Sequence, residues 1–68
     1  MAGPPGVFFA AAEIAASTGD APLALERIDQ GLAMRGGDGV VSLSRAAGLL
    51  LRLREGERAL ELYQRAAA

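Results

Sequence analysis

An all-α chain of four short antiparallel helices, arranged as two tandem helix–turn–helix units, is the fold class this sequence predicts. Three observations carry that expectation. Apolar residues recur at three- and four-residue spacing, and no segment alternates with period two for long enough to make a strand. Breaks containing Gly or Pro divide the chain into segments of helical length. Sliding the chain along itself by about 35 residues brings similar residues into register, the mark of an internal repeat.

Taken in order, Met1 to Gly6 reads as an irregular leader, because two Pro and two Gly are poor helix starters. Val7 to Thr18 follows, almost wholly Ala and larger apolar residues, which predicts a helix buried on several sides. Gly19–Asp20 makes a turn in which Asp20 is placed to cap the next helix. Pro22 falls in that helix's first turn, where a missing N–H costs little. The second helix runs from about Pro22 to Met34, with Leu25, Ile28 and Leu32 on one stripe. Gly36 suits the left-handed position after it, and Asp38 is a candidate cap for the third helix. That helix, about Val40 to Arg54, sets Leu43, Ala46, Ala47, Leu50 and Leu53 on one face. Gly48 interrupts it at a cost of ~1 kcal/mol relative to Ala. Gly56 is expected to end it, and the fourth helix covers about Glu57 to Ala67.

The domain organisation expected is thus a leader (1–6) and one domain (7–68) made of two units, about 7–36 and 39–68. The shift of about 35 residues places Phe8 on Leu43, Ala11 on Ala46, Ala12 on Ala47 and Ala15 on Leu50. It also places Ala24–Leu25–Glu26 on Ala59–Leu60–Glu61, Ile28 on Tyr63 and Gly31 on Ala66. This period and pattern resemble the tetratricopeptide repeat family. In that family the first helix carries a large apolar residue, an apolar–small pair and a second large residue, followed by a Gly–Asp turn. The second helix carries Ala, a large residue and a small one. Ala24, Ile28 and Gly31 fit that second pattern, as do Ala59, Tyr63 and Ala66, and ALELYQRAA is the most family-like stretch. Three features depart from it: Ala15 is small, Gly36 stands where a Pro is usual, and Glu55–Gly56 sits off register. The resemblance implies an α-solenoid segment without caps, with Ala11, Ala12, Ala24, Ile28, Gly31, Leu43, Ala46, Ala47, Leu50, Ala59, Tyr63 and Ala66 packing within and between repeats. It also implies a concave groove lined by the first helix of each repeat, in which Arg45 and Arg52 would meet acidic segments of a peptide.

Composition excludes most chemistry. The chain has no Cys, His, Trp or Lys, so thiolate or imidazole metal sites, disulfides, His-assisted nucleophiles and Schiff bases have no residues to build them. Gly36–Gly37–Asp38–Gly39 follows a helix and lacks a Lys, which makes it an inter-unit turn and not a phosphate loop. Glu55 and Glu57 sit at an exposed turn beside Arg54 and Arg58 and read as a solvated cluster, not an acid–base pair. The expectation is no catalytic, cofactor or metal residue, and no enzyme. Net charge is −1, and three Arg on one helix without interleaved aromatics give no nucleic-acid footprint. No apolar run approaches the ~20 residues of a membrane span. No basic residue precedes Arg27, as a signal peptide would require, so cytoplasm is the default compartment, with secretion left open as the alternative.

A chain of 68 residues buries little core, and helical-hairpin repeats need neighbours to cover their faces. Both ends here look unsatisfied, with Val7, Phe8, Phe9 and Ile14 at one and Leu60 and Leu62 at the other. Charge is divided as well. Met1 to Met34 holds Glu13, Asp20, Glu26 and Asp29 against Arg27 alone, while six Arg follow. The function expected is therefore a structural protein that stacks head to tail with copies of itself into a ring, filament or tube, acidic half against basic half. The alternative is an adaptor module that holds a peptide in its groove, alone or within a longer array.

Overall fold

The structure is a computed structural model that describes residues 5–37 and 39–68. Four helices follow one another: α1 (Pro5–Ser17), α2 (Ala21–Ala33), α3 (Val40–Arg52) and α4 (Gly56–Ala67). No strand occurs among the described residues. Met1 to Pro4 of the expected leader and the expected cap Asp38 lie outside the described residues. The rest of the leader is a correction, since Pro5 and Gly6 already belong to α1. Proline at a first helical position gives up only an N–H that would have no intrahelical partner, and its fixed φ suits the helix.

Within α2, Asp20 is the N-cap and its carboxylate accepts the Leu23 N–H at 3.2 Å. Pro22 stands in the first turn, and Gly36 takes the left-handed backbone after the helix at φ +87°. The capping residue of α3 is Gly39, with no side-chain bond.

The two hairpin turns are built alike. After α1, the Asp20 N–H donates to the Ala15 carbonyl at 2.9 Å and the Gly19 N–H to Ala16 at 3.2 Å. After α3, the Glu55 N–H donates to Leu50 at 2.8 Å and the Arg54 N–H to Leu51 at 3.0 Å. Each pair is a Schellman closure, in which the crossed bonds satisfy the last carbonyls of a helix and require one left-handed residue. That residue is Gly19 (φ 83°) in the first turn and Arg54 (φ 63°) in the second. Every donor and acceptor of the second turn is displaced from the first by 35 residues, so the second turn is in register. The expectation that Gly56 ends α3 is corrected for the same reason: Arg54 makes the reversal and Gly56 opens α4.

Packing is pairwise. α1 lies along α2 and α3 along α4, while α3 also rests on α1 and α2. Among the described residues α4 has no other helix against its backbone, and an ion pair ties it to α2: Arg58 donates to Asp29. The Cα atoms fill an envelope of 32 × 32 × 13 Å, too thin to bury much behind a surface layer. The core is accordingly narrow: Phe9, Ala12, Ile28, Leu43, Ala46, Ala47, Leu49, Leu50, Ala59 and Leu62 form one cluster, edged by Leu25, Leu32, Leu53 and Ala66.

The unequal residues at the two turns make a prediction. A left-handed non-Gly residue costs on the order of 1–2 kcal/mol, part of which Gly returns through its freedom in the unfolded chain. Arg54→Gly is expected to stabilise by about 0.5–1 kcal/mol, raising Tm by roughly 2–8 °C for a domain of this size. Gly19→Arg is expected to lower Tm by a similar amount. Thermal unfolding followed by circular dichroism, at one protein concentration, checks both.

Candidate functional site

One aromatic ring joins three helices. Phe9 of α1 is 1% exposed, and its ring packs against α2 where Gly31 leaves room. A Cβ at Gly31 would stand 2.7 Å from Cε1 of the ring, well inside van der Waals contact. From α3, the Arg45 guanidinium covers the ring with its Cζ 5.9 Å from the centroid. Arg45 also donates to Glu13 Oε2 at 3.0 Å. Gly6, Phe9 and Glu13 therefore form the stripe of α1 that α3 covers, since Arg45 touches the surroundings of all three.

Arg45, expected to line a peptide groove, is thus tied to α1. Arg52 is exposed, with no ion pair among the described residues. No enclosed cavity and no cluster of metal-ligating side chains occurs among the described residues. None of their helices is long and apolar enough to cross a membrane.

The surface residues expected at the two ends divide. Val7, Ile14 and Leu60 are exposed and Phe8 is half-buried. Phe9 and Leu62 are corrections: both are core residues, Phe9 because its stripe of α1 faces α3, and Leu62 because it lies on the buried side of α4. Among the expected packing positions, Ala12, Ala24, Ile28, Gly31, Leu43, Ala46, Ala47, Leu50 and Ala59 are buried, and Ala11 and Ala66 half-buried. Tyr63 is the exception. It is 40% exposed, whereas Ile28, its equivalent 35 residues earlier, is fully buried. Ile28 is enclosed because α3 follows α2 in the stack; among the described residues no helix follows α4.

The same displacement accounts for the other exposed apolar residues. Ile14 is 67% exposed, but its equivalent Leu49 is 4% exposed, lying one turn beyond Arg45 on the face of α3 that meets α1. Val7, Ala10, Ile14 and Ser17 make up this stripe on α1, all exposed, and may be termed the leading face. On α3, Val41, Ser44, Gly48 and Leu51 occupy the positions equivalent to Gly6, Phe9, Glu13 and Ala16, the stripe that α3 covers on α1. Val41 and Leu51 are open to solvent, as are Leu60 and Tyr63 of α4, and these form the trailing face.

Reasoning from sequence missed Val41, Leu51, Ala10 and Gly48. The signal was present: a helical stripe at 41, 44, 48 and 51 corresponds to a covered stripe in the first unit. Gly48 has open space where a Cβ would stand, so nothing within the chain requires glycine there.

Comparison with protein-family models, with curated proteins and with solved structures finds no match to this chain.

The seat of Phe9 is testable. Ala gains ~1 kcal/mol over Gly in a helix interior, but forcing a methyl against a buried ring costs ~1–3 kcal/mol. Gly31→Ala is expected to be net destabilising by about 1 kcal/mol, and Phe9→Leu in the same chain to recover part of the loss. Urea unfolding of the two single variants and the double variant measures the coupling.

Proposed function

We propose that this protein is a non-enzymatic structural protein that stacks head to tail on copies of itself, extending its two tetratricopeptide-like hairpins into a longer α-solenoid. One observation carries the reading. Exposed Ile14, Tyr63 and Leu60 stand 35 residues from Leu49, Ile28 and Leu25, which are buried or half-buried. A second copy seated on the trailing face would cover Val41, Leu51, Leu60 and Tyr63 as the second hairpin covers the first, and a copy on the leading face would cover Val7 and Ile14. Each joint would add apolar burial at roughly 25 cal/mol per Å², which a thin domain of this size lacks. The contact is heterologous, so it closes into a ring or grows into a filament. The adaptor reading is the weaker one, because Arg45 is engaged with Glu13 and the concave side keeps only Arg52 as an anchor for an acidic peptide.

Blocking one face at a time tests this. Ile14→Glu closes the leading face and Leu51→Glu the trailing face, both at exposed positions where folding is little affected. By light scattering or sedimentation at micromolar concentrations, wild-type mass should grow with concentration while each variant stays a monomer. Mixed together, the two variants should form a one-to-one pair and stop, since each retains the face the other lacks. A folded wild-type monomer at every concentration overturns the proposal, and so does a mixture that fails to pair.

A further inference from the structure

Resting on the stacking reading above, we infer that the joint between copies is neutral at the four positions that carry ion pairs inside the chain, and is held in one register, with Ala10 of one copy opposite Gly48 of the preceding copy. Inside the chain, two ion pairs span the joint between hairpins: Glu13 with Arg45, and Asp29 with Arg58. The division of charge along the sequence is thus used within one molecule, and acidic and basic halves of different copies are not needed to explain it. Carrying the same joint forward by 35 residues replaces Glu13 with Gly48 and Arg45 with Ala10. It replaces Asp29 with Gln64 and Arg58 with Leu23.

Neither charged pair survives the displacement, and both members of each are lost together. Both internal pairs are exposed, so each contributes ~1 kcal/mol or less, and their joint loss leaves no lone charge at these four positions. Complete loss leaves a joint made of Ala, Gly, Gln and Leu, beside Ile14 and Leu51. Gly48, open and half-buried in this chain, then has a use as the floor on which the next α1 lies. The position equivalent to Phe9 is Ser44, and that equivalent to Gly31 is Ala66. The large ring and its notch in the first hairpin are thus matched by two small residues in the second, exposed Ser44 and half-buried Ala66.

A joint of this kind responds to salt in a definite direction. Screening removes attraction between exposed charges but leaves apolar contacts intact or strengthens them. Wild-type association should hold or tighten between low salt and molar sodium sulfate, as read by sedimentation.

Register is tested by rebuilding the internal ion pair between copies. Ala10→Arg alone and Gly48→Glu alone should each weaken association by about tenfold, equivalent to ~1.4 kcal/mol. The double variant should recover most of that loss and become salt-sensitive, whereas Ala10→Glu with Gly48→Glu should be weaker than either single change. Thermal unfolding at a concentration where all are monomers provides the folding control. Association of wild type with no advantage of the Arg–Glu double variant over the worse single variant overturns the register and leaves stacking intact. Wild-type stacks that dissolve in salt overturn the neutral joint. Absence of any wild-type association instead defeats the stacking reading itself.

Discussion

The seating of Phe9 on Gly31 is the contact on which the remaining packing depends. Among the described residues of the core, Phe9, Ile28 and Leu50 are the largest side chains essentially sealed from solvent, and Phe9 is the one aromatic among them. Most of its other members are alanines, which bring helices close but bury little surface. One ring therefore supplies a large share of the apolar area at the place where α1, α2 and α3 meet. Gly31 is an expensive residue for a helix interior, and the ring explains its presence. Arg45 completes the seat by covering the ring's open side with a cation while Glu13 holds its guanidinium. Because a cation over an aromatic face and an exposed ion pair are each worth roughly 1 kcal/mol or less, their importance is orientation more than strength.

Orientation is what a chain of this shape most requires. An envelope 13 Å thick leaves nearly every helix with one face uncovered, so the fold is set by a few directional contacts and by its turns. The Schellman closures fix the reversal within each hairpin, while Phe9, Arg45 and the Asp29–Arg58 pair fix one hairpin against the other. Nothing in this arrangement depends on a single deep core, which is why two hairpins suffice to define it and why exposed apolar residues remain at both ends.

Helix number, order and approximate limits were legible from the sequence, because Ala content, apolar spacing and the Gly19–Asp20 and Gly36–Gly37 breaks are local signals. What escaped was not local. The second turn looked out of register because Arg54 is not a residue associated with positive φ; only the hydrogen bonds reveal that it replaces Gly19. Phe8 and Phe9 are adjacent, and one-dimensional pattern sets both on the exposed end of the chain although Phe8 matches the buried Leu43. Space decided otherwise, since Phe9 faces the notch at Gly31. Tyr63 was placed inside by analogy with Ile28, but the analogy omits the neighbour that buries Ile28. A repeat pattern tells which residues are equivalent, whereas burial depends on whether the next unit is there.

That difference also gives the two internal ion pairs a role in choosing partners under the proposed stacking. Each face of the molecule exists in two versions, one charged and one neutral. The stripe bearing Arg45 belongs against the stripe bearing Glu13, and the two are already joined within the chain. If the second hairpin of one copy instead docked on the trailing face of another, Arg45 would be brought over Ser44 and Gly48 with no carboxylate to meet it. If α1 of one copy displaced α3 from its own position, Glu13 would be covered by Ala10 and lose its partner. Both alternative arrangements forfeit an ion pair, while the proposed one leaves both pairs intact, a difference of ~1 kcal/mol or less for each exposed pair. Under the proposed stacking, the two exposed ion pairs therefore bias the choice of joint slightly and orient it, more than they stabilise it.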